Sequence, residues 1–427
     1  MTARIQAVRG MRTVPPDQSA GWRAMEQAIT DVFARYGYRE IRFPIVDRTE
    51  TFQRSIGELT DIVSKEMYSF RDRGGNDLTL RPEGTAGCVR AAVENGLLTQ
   101  ARKLWYAGPM FRYERPQKGR HRQFRQAGVE VYGMAGAAIE VEMLAMGARI
   151  WSALGLPGIV LELNMLGSPQ SREEYRRRLG EYFRPHQNLL NEEEARRLRD
   201  NPLRLMDSKD PKLRELTRAA PDLRDCLDAP SRDRLCQVCA LLEELGLAHR
   251  VNPRLVRGLD YYSGLVFEWL APGLGAQDAI CAGGRYDELA ARFGGPQTPA
   301  IGFAIGLDRI QALLQDQGAP AGGGLPRHAY LLLADETAVA PGLRLAESLR
   351  DRLPWLQLTT HCAGGSLKSQ FRKADKSGAR FALVLAEREV AARAVTVKPL
   401  RGEGPQQTLR WEELPEFLDR QCAQGAQ

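Results

Sequence analysis

Apolar residues recur at helical spacing between residues 17 and 36, where Trp22, Met25, Ala28, Ile29, Val32 and Phe33 fall on one face. Asp17 or Ser19 is placed to cap this helix and Gly37 to stop it. YREIRFPIVDR then reads as a strand that Pro44 confines to an edge or a bend. Further on, DRGGND is a hairpin turn and LTLRPE a strand with Leu78 and Leu80 on one side. Thr85 is expected to cap a helix from Ala86 to Glu94. Between Lys103 and Gly133, two runs, Leu104 to Tyr113 and Phe124 to Tyr132, read as paired strands around a basic connection with turn residues Pro116 and Gly119. On the second strand Gln126, Gly128 and Glu130 share one face, and Arg125, Val129 and Val131 the other. Pairing symmetric about Gly119 sets Arg112 opposite Gln126 and Gly108 opposite Glu130. A cation, an amide and a carboxylate then stand beside a glycine gap. A solvated edge hairpin with a basic tip is the plainer reading of the same stretch.

Beyond this hairpin, AGAAIEVEMLAMGARIWSALG has helical spacing and IVLELNMLG reads as a strand. From Ser168 to about Arg250 the chain is dense in charge and poor in β-branched residues. Its mixed-sign pairs at i,i+4 mark short exposed helices, an inserted module whose arginines read mainly as a solvated face. LVFEWL restores strand character; AICAGGRYDELAARFGG gives a strand, a Gly283-Gly284 turn and a short helix. AIGFAIG is a strand spaced by Gly302 and Gly306, running into a helix that carries Arg309. Glycines inside a buried strand let something approach the backbone closely, either a flat ligand such as a nucleotide ring or neighbouring backbone. GAPAGGGLP, residues 318–326, is a linker. After it, strands and helices alternate as in a small α/β domain with a mostly parallel or mixed sheet.

Length and charge sharpen this outline. A chain of 427 residues exceeds one ordinary core and implies two or three domains. Its 43% hydrophobic and 26% charged residues are those of a globular protein. No apolar run reaches about 18 residues and the start lacks a signal-peptide core, so a cytoplasmic, unanchored protein is expected. The net charge of +7 favours an anionic partner only where cations cluster, as at Arg115, Lys118, Arg120, His121 and Arg122. Seven scattered cysteines suit reduced thiols. Cys236 and Cys239 fall within a helical apolar pattern, without the second pair of a zinc site, and read as packing. No phosphate-loop GxxxxGK[ST] is present. Glu83, emerging before a helix N-terminus, either caps that helix or offers its charge to a ligand ammonium.

In combination these stretches resemble the histidine–tRNA ligase family of class II aminoacyl-tRNA synthetases. YREIRFPIVDRTETF is similar to the dimer-interface motif 1, MFRYERPQKGRHRQFRQAGVEVYG to motif 2 and AIGFAIGLDRI to motif 3. TLRPEGTAG and VRGLDYYSGLVFEW are similar to stretches specific to the histidine enzymes. The resemblance implies an α+β catalytic domain on an antiparallel sheet, with parts at 1–167 and 251–317. It also implies a helical insertion at 168–250, the linker at 318–326 and an α/β anticodon-binding domain at 327–427. It implies a homodimer that joins L-histidine to histidine tRNA with ATP and Mg2+ through a histidyl-adenylate. Such a reaction needs no strong base, because the attacking carboxylate is already ionised; positioning and charge neutralisation must supply the catalysis.

By the same resemblance Arg112 and Arg257 act on the α-phosphate, and Arg112, Arg120 and Arg309 bind ATP. Glu83, Thr85 and Gln126 hold the histidine ammonium. Glu130 and Tyr262 bond the two imidazole nitrogens, with Tyr261 beside them. Gln117, Lys118 and Arg122 meet the tRNA acceptor end. In the C-terminal domain Ala386 and Arg393 stand where glycines are expected and Pro399 where an acid is usual. A rival within the same superfamily is the non-catalytic regulatory subunit of ATP phosphoribosyltransferase, which lacks the anticodon domain. A synthetase-like RNA-sensing module would carry further attached domains.

Overall fold

The computed structural model describes residues 4–57, 60–206, 211–272, 278–317, 328–402 and 404–422. The linker stretch 318–326 therefore lies outside the described residues. The chain falls into two compact units, the larger comprising Met1–Pro15 and Trp22–Pro320 and the smaller Pro16–Gly21 and Ala321–Gln427.

An eight-stranded sheet organises the larger unit. Its six inner strands run antiparallel in the order Arg102–Phe111, Gln123–Tyr132, Ala300–Gly306, Ala279–Arg285, Leu265–Leu270 and Val160–Met165. Arg39–Glu40 and His249–Val251 add parallel edges. Alternation sends one set of side chains to a large apolar core, while parts of Gln123–Tyr132, Leu265–Leu270, Ala279–Arg285 and Ala300–Gly306 line the site. Ala127, Val129, Val131, Phe303 and Ile305 meet the buried faces of helices Pro16–Arg35, Ala137–Ala153 and Ala229–Glu244. Gly128, Glu130 and Tyr132 point to the opposite face, as the two-residue period requires.

Local chemistry departs from expectation at several points. The first helix starts on Pro16 with Pro15 at its cap and no side-chain cap bond, so neither Asp17 nor Ser19 caps it. The strand expected through Pro44 splits into Arg39–Glu40 and Val46–Arg48, which join different sheets. The second piece belongs to a three-stranded sheet with Tyr68–Arg71 and Asp77–Leu80, where Thr79, not the flanking leucines, is the buried position. Gly283 and Gly284 are not a turn. They lie within the Ala279–Arg285 strand, where a Cβ would press on the Gly302 and Leu265 carbonyls.

Helices Pro169–Phe183, Glu192–Asp200 and Pro211–Arg218 pack around their own core of Tyr175, Leu179, Phe183 and Leu205. Helix Ala229–Glu244 instead packs into the main core. It carries Cys239 half-buried and Cys236 exposed, so only the first of these thiols serves packing.

The smaller unit is a five-stranded sheet, parallel across Leu358–Thr360, Ala329–Leu333 and Phe381–Leu385, then antiparallel to Ala394–Pro399 and Gln407–Arg410. Arg393 has φ +49°, the only non-glycine residue with positive φ among those described. The departure from an expected glycine at 393 thus leaves the backbone in a glycine-like conformation, at a cost of about 1–2 kcal/mol. Ala386 lies in ordinary extended backbone.

Candidate active site

The hairpin Arg102–Phe111 and Gln123–Tyr132 keeps the predicted faces but not the predicted register. Gly108 pairs with Gln126, and Leu104 with Glu130. Arg112, just past the strand, bonds the Arg122 carbonyl through its amide at 2.9 Å. The four-residue offset comes from the incoming arm. The Tyr113 amide leaves the ladder for the Glu66 carbonyl, the Glu114 amide folds back to Arg112, and Pro116 has no N–H to give. Gly119, at φ +69°, completes the turn between Gln117 and Arg120.

Above the sheet face opens a cleft of about 530 Å3. Glu83, Thr85, Arg112, Arg120, Gln126, Arg257, Tyr261, Tyr262 and Arg309 all line it, so the structure gathers most of the predicted site. Gln126 presents a buried Oε1 that has no partner among the described residues, an acceptor open to a donor. Glu83 caps the helix Thr85–Glu94. Its two oxygens accept the Thr85 and Ala86 amides at 2.7 Å each, while Thr85 itself is the first helical residue and supplies no cap bond. Burial raises the Glu83 pKa, and those amides and the Arg112 charge oppose the rise.

Cations crowd the same cleft. Arg112 is held by the Pro82 carbonyl at 2.8 Å and stacks over Phe124. Glu114 lies between it and Arg120, 3.8 Å from the first and 3.0 Å from the second. Arg309 bonds the Ala279 carbonyl, and its pKa falls to about 10, through burial first and then the charges of Arg120 and Arg112. Arg257 pairs with Glu268 and keeps a buried Nε without a partner. Guanidiniums packed this closely suit phosphate oxygens, which take their planar donor forks.

Glu130 sits one layer behind the cleft lining. It is completely buried, accepting from Tyr106 Oη at 3.0 Å and from Tyr286 Oη. Burial is the main force raising its pKa to about 8; the hydrogen bonds of Tyr286, Thr85 and Tyr106 oppose it, while Glu83 adds to it. Gly302, opposite Glu130, has no room for a Cβ, which would overlap the Glu130 carboxylate. The space this glycine opens is filled by a carboxylate, not by a flat ligand. The Tyr261 and Tyr262 rings lie 4.7 Å apart, tilted at 52°, and Tyr261 meets Tyr286 edge-on at 5.6 Å. At the hairpin tip Gln117 is exposed, Lys118 pairs with Asp316 at 2.6 Å, and Arg122 stacks over Tyr113 at 3.7 Å.

Sequence reasoning missed Tyr106, Tyr286 and Glu268. Tyr106 gave no signal in the predicted register, which sets it opposite Tyr132; in the observed one it faces Gly128, and Gly84 and Gly128 both clear space for its ring.

An antiparallel sheet carrying helices on one face and an arginine-lined cleft on the other defines a class II aminoacyl-tRNA synthetase fold. The histidyl-tRNA synthetase family profile matches residues 10–310, and an anticodon-binding-domain profile matches 335–421. The chain is 53% identical over 415 residues to a histidine–tRNA ligase of Halorhodospira halophila, covering 97% of each chain. It is 51% identical over 421 residues to that of Alkalilimnicola ehrlichii, covering 98% of this chain and 97% of the other. A solved apo histidyl-tRNA synthetase of S. aureus superposes with a TM-score of 0.81 at 31% identity, covering 97% of this chain and all of that one. The chain belongs to the histidyl-tRNA synthetase family.

Proposed function

We propose that this chain activates L-histidine with ATP and transfers it to its tRNA. The observation that carries the reading is what one cleft brings together. It holds the Gln126 oxygen, without a partner among the described residues, and Glu83, together with Arg112, Arg120, Arg257 and Arg309; burial first and then the charges of Arg120 and Arg112 lower the Arg309 pKa. The amide oxygen and carboxylate suit an ammonium, and the arginines a polyphosphate.

In the first step a histidine carboxylate oxygen attacks the α-phosphorus of ATP. A carboxyl–phosphate bond forms, the bond to the β-phosphate oxygen breaks, and pyrophosphate leaves. Glu83, Thr85 and Gln126 hold the ammonium so that the carboxylate faces the phosphorus. Arg112 and Arg257 take the charge that builds on the α-phosphoryl oxygens, while Arg120 and Arg309 hold the outgoing phosphates. Tyr262, with Tyr261 behind it, and Glu130 take the imidazole nitrogens. Among the described residues the partners of Glu130 are neutral hydroxyls, so a ring N–H is a natural donor to it. A pocket that pairs both ring nitrogens rejects apolar isosteres, which would strand buried polar groups. In the second step the terminal ribose hydroxyl of the tRNA takes the histidyl group and AMP leaves.

The residues also fit Mg2+. Glu66 and Glu114 line the cleft beside the arginines, and the Glu66 pKa is raised by burial and then by the Glu114 charge, a repulsion that a dication relieves. One or two carboxylates with substrate phosphates are the usual Mg2+ ligands. When bound, Mg2+ offsets charge on the pyrophosphate.

Gln117, Lys118 and Arg122 on the hairpin tip are assigned to the acceptor end, and the smaller unit to the anticodon. The active form is a homodimer, and the reaction is placed in the cytoplasm. No helix among the described residues is long and apolar enough to cross a membrane. The anticodon-domain match at 335–421 weighs against a regulatory subunit that lacks this domain. Charging of histidine tRNA with labelled histidine tests the reading: ATP-dependent, histidine-selective charging is expected, and its absence in folded protein would refute it.

A further inference from the structure

Behind the stretch 256–263 lies a second cavity of about 220 Å3. Val256, Arg257, Leu259, Tyr261 and Tyr262 line both hollows, so this stretch is the wall between them. The far side is built by Arg172 and Arg176 of helix Pro169–Phe183, by Asn201, and by Arg292 at the end of helix Leu289–Arg292.

Two carboxylates, Asp260 and Glu288, also line the cavity, but they do not pair evenly with its cations. Arg176 pairs outward with Glu173 at 3.4 Å, and Arg172 donates to the Gly167 carbonyl at 3.1 Å. Among the described residues neither Arg172 nor Arg292 has a carboxylate at ion-pair distance. Burial holds the Arg172 pKa below its ordinary value; Glu288, exposed at the rim, opposes this, and the charges of Arg176 and Arg292 reinforce it. Arg172 is also the fourth residue of its helix, near the positive end of the dipole, where a cation is unfavourable. Like charges gathered around a hollow cost free energy unless an anion completes them. Among the described residues two more atoms have no partner: Arg176 Nε, a donor, and Asn201 Oδ1, an acceptor. The cavity therefore offers guanidinium donors, with Asn201 Oδ1 and the Asp260 and Glu288 carboxylates as acceptors. A hydrogen phosphate group meets both, with acceptor oxygens for the arginines and a hydroxyl for an acceptor.

We propose that this cavity binds a small phosphate, and that its occupant braces the 256–263 wall from behind, holding Tyr261, Tyr262 and Arg257 toward the main cleft. The binding half is independent of the reaction assigned above; the bracing half rests on it.

The probe is inorganic phosphate, read as the shift in Tm against potassium chloride at matched ionic strength. The main cleft also attracts phosphate, so the full-length chain is compared with Arg112→Ala/Arg309→Ala and with the same protein also bearing Arg172→Ala and Arg292→Ala. The shift should persist in the first variant and vanish in the second. Its loss in the first variant, or its survival in the second, overturns the proposal. Arg292→Gln alone, at a half-exposed position that folding tolerates, should weaken phosphate by about tenfold or more; an unchanged affinity counts equally against it. Histidine affinity should rise with phosphate in the wild-type chain and not in Arg172→Ala/Arg292→Ala. If phosphate binds yet histidine affinity does not respond, the bracing role is refuted.

Discussion

Glu130→Gln separates the ligand-binding role of this carboxylate from a purely structural one. The side chain is fully buried and its pKa stands at about 8, against an ordinary 4.5. Below pH 4.5 the folded and unfolded chains both hold the proton. Between 4.5 and about 8 only the folded chain does, so its stabilising effect is complete below 4.5 and is lost as pH rises toward 8. Each pH unit across that window costs about 1.4 kcal/mol, and the whole window roughly 5 kcal/mol. Glutamine fills the same space without titrating. Its carbonyl accepts from one of the Tyr106 and Tyr286 hydroxyls and its amide donates to the other. Urea midpoints of both proteins at pH 5, 6, 7 and 8 should show the variant gaining on the wild type by about 1.4 kcal/mol per pH unit. Above pH 8, where the wild-type carboxyl is ionised, histidine kcat/KM should fall by orders of magnitude, because the amide lacks the second acceptor oxygen, with ATP affinity little changed. Parallel pH profiles would show that Glu130 titrates as an ordinary carboxylate. A lowered midpoint with histidine kcat/KM intact would make it a structural group and refute the assignment.

Other perturbations test separate parts of the account. Arg257→Ala should nearly abolish adenylate formation while histidine binding stays within a few-fold, because the guanidinium acts on charge that grows in the transition state; a raised histidine KM with kcat intact would be the wrong result. Gly302→Ala places a Cβ 2.6 Å from the Val129 carbonyl oxygen and 2.7 Å from the Glu130 carboxyl carbon, in a strand that cannot shift freely. It should destabilise the fold by about 1–3 kcal/mol in chemical denaturation and weaken histidine binding; wild-type stability would show that the site relaxes. A fragment ending within 318–326 should retain adenylate formation and lose most tRNA charging, since the larger unit has its own core. Loss of adenylate formation in a folded dimeric fragment would contradict that division.

Much of this was legible in the chain because it is local. The period-two faces of Gln123–Tyr132, the helical stripe from Trp22 to Phe33 and the alternation after residue 328 need only neighbours in sequence. What escaped depends on distant partners. The hairpin register shifted by four because the Tyr113 amide finds the Glu66 carbonyl, 47 positions away in the chain, and nothing local announces it. Gly283 and Gly284 mimic a turn, yet serve close passage of the Gly302 carbonyl and the Tyr262 ring. The tyrosines around Glu130 come from two separate strand regions, and only folding brings their hydroxyls together. In the smaller unit the helix Glu387–Ala391 and the strand Gln407–Arg410 are too short to establish a period.

The central claim is that one cleft binds histidine by its ammonium and ring while four arginines handle the phosphates. Amino-acid-dependent exchange of labelled pyrophosphate into ATP measures it most directly, since it needs neither tRNA nor the anticodon domain. The account predicts strong exchange with L-histidine and background exchange with the other amino acids. Folded protein that gives no exchange with histidine, or equal exchange with an apolar amino acid, would contradict it.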